Sequence, residues 1–157
     1  MKLLLLFFFA YTSVTVVSAQ DLEVSQYQSD RCLGLSLHES SVDIRTKEQF
    51  LEHVRNDASR ERCLENMPEV DFEKYVLVGM DINSGYCGVP YGLEFSASEN
   101  PKESTLDVNV GYANPKGVCR ALSSYHLWLL IQKPAGEFEL KLKIGIKEDE
   151  DSESSSP

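Results

Sequence analysis

Residues 75–92 read Tyr-Val-Leu-Val-Gly-Met-Asp-Ile-Asn-Ser-Gly-Tyr-Cys-Gly-Val-Pro-Tyr-Gly. The first half is an apolar run with β-branched side chains, which predicts a buried strand. The second half crowds glycine, proline and tyrosine around Cys87, which predicts an irregular loop at the end of that strand. Loops carried on a rigid scaffold are where recognition residues concentrate. Ser84, Tyr86, Val89 and Tyr91 are therefore the candidate binding residues, tyrosine offering a large, stiff contact area with a polar tip.

Downstream of the loop, residues 92–97 (Gly-Leu-Glu-Phe-Ser-Ala) alternate apolar and polar positions. Leu106, Val108, Val110 and Tyr112 then point one way while Asp107, Asn109 and Gly111 point the other, an antiparallel strand with one wet face. Asn114-Pro115-Lys116-Gly117 is a turn. Residues 125–131, Tyr-His-Leu-Trp-Leu-Leu-Ile, form the most apolar run after the leader. Its continuity predicts a strand covered on both faces, with Trp128 at the centre of the core. Pro134-Ala135-Gly136 turns the chain into a second alternating arm, Phe138, Leu140, Leu142, Ile144 and Ile146, expected to complete a hairpin. Lys141 and Lys143 point outward on that arm, as on an edge strand protected from sticking to others.

Upstream, Leu33-Gly-Leu-Ser-Leu-His38 and Val42-Asp-Ile-Arg45 are short strand candidates that follow a polar leader segment. Thr46 with Gln49 three residues later is a capping box, and Phe50, Leu51 and Val54 fall on one helical face. The helix is expected to end near Asn56, where Asp57, Ser59 and Arg60-Glu61-Arg62 break the apolar stripe. So short a helix must pack on a sheet to persist.

Lys2 precedes an apolar stretch too short to span a bilayer, and Val17-Ser18-Ala19 offers the small residues of a cleavage site. Residues 1–19 are thus expected to be a secretory signal peptide. No later apolar run approaches the roughly 20 residues of a membrane-spanning helix, so no membrane partner is expected. Cleavage removes Lys2 and no acid, leaving 14 basic against 25 acidic residues and a net charge of −11. That balance repels a phosphate backbone and argues against nucleic acid. The length suits one domain, residues 20–146. From Lys147 the composition turns to Glu, Asp and Ser, which predicts a disordered acidic tail over residues 147–157 that attracts calcium only loosely, through charge density.

The chain has four cysteines, and an even number in an oxidising compartment suggests two disulfides. Three pairings are open, and Cys32–Cys63 with Cys87–Cys119 is the favoured one. No two cysteines have the close spacing of a zinc motif, and no metal is expected. Asp81-Ile-Asn83-Ser84-Gly85 resembles the start of a calcium loop, but its fifth position is Gly85 and its twelfth is Gly92 where ligands are required.

Catalysis finds little support in the residues. There is no Gly-x-Ser-x-Gly elbow, no His-Glu-x-x-His helix and no phosphate-cradling glycine loop. Of the three histidines, His53 is placed on the charged side of the helix, His38 at a strand end and His126 within an apolar run. Glu94, Glu99, Asp107, Glu137 and Glu139 fall on a solvated sheet face. The expectation is a non-enzyme without a cofactor.

Over residues 42–146 the order of features resembles the secreted β-domain at the C-terminus of the dentilisin-type protease-complex polypeptide. The likeness rests on Thr46-Lys-Glu-Gln-Phe-Leu51, on Pro68-Glu-Val-Asp-Phe72 running into Tyr75-Val-Leu-Val-Gly79, on Ser84-Gly85-Tyr86, and on Tyr125-His-Leu-Trp-Leu-Leu-Ile-Gln-Lys-Pro134. Cys87 and Cys119 depart from that pattern, and Ser84-Gly85 stands where it has tandem glycine. The resemblance implies an antiparallel sheet with one packed helix and a role in binding a protease, and it carries over no functional residues.

The sequence therefore predicts a mainly β (α+β) fold, an antiparallel sheet or partly open barrel or sandwich with one packed helix and two disulfides. The expected function is a secreted interaction module that associates with or inhibits an extracellular protease. The alternative is an acidic extracellular matrix protein that engages calcium or mineral.

Overall fold

Residues 75–84 form one unbroken strand, longer than the apolar run that starts it. The computed structural model describes residues 19–29, 31–36, 39–84, 89–113 and 123–147, and the side chains of 83, 84 and 123 are not included. Within these, the elements run β1 (Gln20–Leu22), β2 (Val24–Gln26), β3 (Ser41–Ile44), α1 (Lys47–His53), α2 (Arg60–Asn66), β4 (Tyr75–Ser84), β5 (Tyr91–Asn100), β6 (Thr105–Ala113), β7 (Ser123–Gln132) and β8 (Glu139–Ile146). They make two four-stranded sheets, ordered β1-β5-β6-β8 and β2-β7-β4-β3. The protein is mainly β, a two-sheet sandwich and not a closed barrel.

Strands β4 and β7 explain the arrangement. They pair at every position from Tyr75 opposite Gln132 to Ser84 opposite Ser123, so β4 continues past the apolar run through the polar residues 81–84 and ends on Ser84, the first residue of the expected loop. A backbone held by a continuous ladder to its neighbour does not need apolar side chains to remain a strand. Alternate residues serve two cores. Val76, Val78, Met80 and Ile82 of β4, with Leu127, Leu129 and Ile131 of β7, face the other sheet and meet Ala97, Leu106, Val108, Val110 and Tyr112. Leu77 and Trp128 face the opposite way, into a second cluster with Tyr27, Leu33, Ile44, Val54 and the cystine Cys32–Cys63. Both runs are apolar on consecutive residues because this sheet is covered on both faces, as the sequence predicts.

Gly79 lies directly opposite Trp128. A Cβ added there would stand 2.3–2.7 Å from three carbons of the indole. The glycine is the floor on which the ring lies.

Several expectations need correction. A second helix, α2, follows α1 where a charged connection was expected. Arg60 folds back so that its guanidinium donates to Val54 O at 3.0 Å and Leu51 O at 3.1 Å, satisfying carbonyls left open at the end of α1. The only buried residue of α2 is Cys63. It has no apolar stripe to announce it, and it is attached through the disulfide. Helix α1 ends at His53, short of Asn56. Its cap is as expected, Thr46 Oγ1 accepting from Gln49 N at 3.3 Å, although Gln49 Oε1 accepts from Arg45 N at 2.8 Å, one residue before the cap.

The expected strand over residues 33–38 reduces to a single bridge, Leu33 with Val54, and Leu37 and His38 lie outside the described residues. The polar segment before it contains β1 and β2, which join different sheets on either side of Glu23. Strands of three residues are too short for periodicity to reveal.

The largest correction concerns β8. It forms no hairpin with β7 but lies in the other sheet, parallel to β6 from Thr105 opposite Glu139 to Tyr112 opposite Ile146. The connection is anchored by Phe138, 8% exposed in the core between the sheets. Arg45 holds it from outside, its guanidinium 3.9 Å from the ring centroid and donating to Phe138 O at 2.9 Å. As expected, β8 is an edge strand with Lys141 outward, 2.6 Å from Glu103. Its inward face fades: Leu140 and Leu142 are half-buried, whereas Ile144 is 38% and Ile146 60% exposed. An edge strand has a neighbour on one side only.

At the start of β5, Gly92 takes a left-handed φ of 58° where the register with β6 shifts, a conformation that glycine supplies without strain. Lys147 closes this corner. Its N donates to Tyr112 O at 2.8 Å and its Nζ to Gly92 O at 3.1 Å, and it pairs with Glu94. The folded part thus extends through Lys147. Residues 148–157 lie outside the described residues.

Candidate functional site

On the helix-covered side of β7, a cavity of about 600 Å³ opens between the end of β2, the segment after it, and the outward side chains of β7. Its formation starts with Tyr27, whose N donates to Trp128 O at 2.8 Å, extending the β2–β7 ladder by one bond. The Tyr27 hydroxyl donates to Pro68 O at 2.6 Å. Beyond it, Cys32 N donates to Ser29 O at 2.6 Å, a turn in which Arg31 has a φ of 64°. A positive φ is strained for an arginine and persists only where its surroundings enforce it. Here the disulfide to Cys63 and the bond from Arg55 N to Cys32 O, 2.9 Å, hold the next residue.

The same contacts place Arg31 and Arg55 among the residues that line the cavity. Arg55 is also 3.0 Å from Asp57, whose carboxyl is held below its ordinary range chiefly by the Ser59 backbone N–H and also by Arg55. His53, expected on a charged face, instead faces the sheet. Its Nδ1 donates to Gly34 O at 3.1 Å, its backbone O accepts from Gly34 N at 3.0 Å, and its ring meets Trp128 edge-on with centroids 6.3 Å apart.

Trp128 is central to the fold and also part of the cavity wall. It is 2% exposed, and its Nε1–H has no partner among the described residues. Buried donors are nearly always paired, and leaving one unmet costs about 1–3 kcal/mol. Tyr125, also a lining residue, is half-buried and packs against the core between the sheets, its hydroxyl accepting from Gln26 Nε2 at 3.2 Å.

Ser124 and His126 also line the cavity and converge on Asp81 of β4. The Ser124 hydroxyl donates to Asp81 Oδ1, and His126 Nε2 is 3.7 Å from the same oxygen. Serine and histidine thus each address the carboxylate and not each other, so the hydroxyl proton is directed to Asp81 and not to the imidazole that a hydroxyl nucleophile would need as base. Among the described residues no group of three or more His, Cys, Asp and Glu is placed to hold a metal.

The sequence-predicted residues are divided. Val89 lines the cavity and is 63% exposed. Tyr91 begins β5 opposite Ala113, is 46% exposed and does not line the cavity. Ser84 ends β4 opposite Ser123 in the backbone register. Tyr86 lies outside the described residues, as do Cys87, Cys119, the turn at residues 114–117 and the leader through residue 18. Tyr112 is core at 5% exposure. Of the two expected disulfides, Cys32–Cys63 is formed.

Arg31 and Arg55 were not legible as a site, nor was the turn of His53 toward the sheet. No spacing links Arg31 to Arg55, and only the disulfide-tied backbone brings them together. An orphan donor on Trp128 likewise has no sequence signal.

Tyr27 provides a pH test of this packing. Burial raises its pKa from 10.0 to about 12. Because the folded state holds the phenol proton more tightly, its contribution is complete below pH 10.0 and is lost as pH rises toward about 12,. In urea unfolding, the stability gap between the native chain and Tyr27→Phe should be constant up to pH 9 and narrow between about pH 10 and 12. A gap independent of pH would place the phenol in solvent.

No family model, curated protein or solved structure matches this chain. Among the described residues no helix is long and apolar enough to cross a membrane. The Cys32–Cys63 disulfide is compatible with an oxidising setting,.

Proposed function

We propose that this chain is a secreted, non-enzymatic binding module that associates with an extracellular protein, and specifically with a protease that it assembles with or inhibits. The observation that carries the reading is the pair Val89 and Tyr91. Only five large hydrophobic side chains are exposed among the described residues, Leu64, Val89, Tyr91, Ile144 and Ile146. Two of these five stand two residues apart where the chain enters β5, Val89 just before the strand and Tyr91 at its first position, and Val89 lines the cavity. Apolar and aromatic side chains held outward on rigid strand ends are the usual anchors of a protein contact. The leader-like residues 1–19 and the disulfide support secretion. The resemblance to the dentilisin-type β-domain supports a protease as the partner.

The test is affinity capture from the native extracellular fluid with the chain from Gln20 onward and with the double variant Val89→Ser, Tyr91→Ala. A single stoichiometric protein, retained by the native chain and reduced at least tenfold by the variant, is the expected result. Both side chains are exposed, so the variant's thermal midpoint should stay within about 2 °C. Equal capture by both chains would move the contact off this loop.

A further inference from the structure

We infer that the cavity beside Trp128 is a binding site for an amphipathic organic carboxylate, an anionic head on an aromatic or branched apolar body. This goes beyond the loop-based contact and does not depend on it.

Three observations converge. The described lining includes two guanidinium groups, Arg31 and Arg55, and no Asp or Glu, in a chain whose net charge is −10. Two cationic residues among the lining of so acidic a protein favour an anion. Arg55 gives Nη2 to Asp57, which leaves the rest of its five-donor fork. Arg31 makes no ion pair with another described residue and is held on the wall at a left-handed φ of 64°. The carboxylate nearest the rim, Asp81, is engaged by Ser124 and His126.

The second observation is Trp128, a lining residue whose Nε1–H is buried without a partner among the described residues. A small shift of the indole toward the cavity would give that donor a carboxylate oxygen as acceptor. The third is the character of the remaining wall. Leu33, Val89, Tyr125 and the Trp128 ring offer an apolar bed, and a volume of about 600 Å³ falls in the range of about 300–1,000 Å³ typical of small-molecule sites. Guanidinium forks bind carboxylates in preference to neutral acceptors because they can meet both oxygens at once and pair with the charge.

Trp128 is the only tryptophan in the chain, so its emission and its single indole N–H resonance report this wall alone. The probes are 4-phenylbutyrate, the neutral isostere 4-phenylbutyramide, and N-acetyl-alanyl-phenylalanine with a free or an amidated C-terminus. Saturable change in Trp128 emission with 4-phenylbutyrate is expected, with a shifted indole N–H resonance and at least about tenfold weaker binding of the amide. Arg31→Gln and Arg55→Gln should each weaken the acid about tenfold and leave the amide unaffected, with unchanged thermal midpoints. If the free-acid peptide binds more tightly than phenylbutyrate, the natural carboxylate is a partner's chain end; if it binds more weakly, the ligand is a free small molecule. Equal binding of acid and amide, no saturable response to either acid, or arginine variants that bind as the native chain does would each overturn the assignment.

Discussion

Gly79→Ala should lower the thermal midpoint by about 10 °C, corresponding to roughly 3 kcal/mol for a domain of this size. The sign is informative. A glycine within a strand ordinarily costs about 0.5–1 kcal/mol relative to alanine, so backbone entropy alone predicts a gain. The opposing effect is steric: the new methyl would sit 2.3, 2.5 and 2.7 Å from three carbons of the Trp128 ring. Relief requires moving the indole or the paired backbone. The ring is 2% exposed within the second core, and β4 and β7 are locked together along their whole length. In a Trp128→Leu background the same substitution should cost less than about 1 kcal/mol, because the atoms it strikes are gone. Denaturant midpoints of the four proteins complete the cycle. A Gly79→Ala chain melting within 2 °C of the native one would mean that the ring does not rest on this strand.

Removing the disulfide as Cys32→Ala with Cys63→Ala should cost a comparable amount, about 3–4 kcal/mol. The two residues are 31 apart in sequence, and the chain-entropy argument scales with that loop. Substitution is preferable to a reductant because it leaves Cys87 and Cys119 untouched. The loss should be unevenly distributed. Cys63 is the only buried residue of α2, so without the bond that helix loses its main attachment and Arg60 its grip on the end of α1. Hydrogen exchange should show amides of α2 and of residues 31–34 losing protection while β4 and β7 keep theirs. The Arg31 turn would loosen too, and 4-phenylbutyrate should bind more weakly. Unchanged exchange in α2 would show that packing, and not the cystine, holds the helix.

The sandwich and the proposed site were legible to different degrees. The two-sided burial of β4 and β7 could be read from their consecutive apolar residues, and Trp128 was recognisable as core from the run that contains it. The one-sided burial of β6 followed from the alternation of Leu106, Val108, Val110 and Tyr112 with polar residues. Thr46 announced α1 because capping is a local hydrogen bond. α2 escaped because a helix tethered by a cystine needs no amphipathic stripe, and β1 and β2 because three residues cannot establish a period.

Which faces are buried and where α1 starts were determined by the amino-acid order alone, whereas Cys32–Cys63 was only the favoured one of three open pairings until the fold placed the two residues together. The first two depend on side-chain period and on capping chemistry. Which strands are neighbours was not determined in that way. The residues of β8 alternate identically whether the strand turns back on β7 or crosses to lie parallel to β6, because period reports only that one face is buried. The choice fell to non-local contacts, Phe138 in the core and Arg45 holding it from outside. The cavity belongs to the same class. Arg31, Arg55 and Trp128 are distant in the chain, and they line it together because a disulfide and a handful of backbone hydrogen bonds bring their segments to one place.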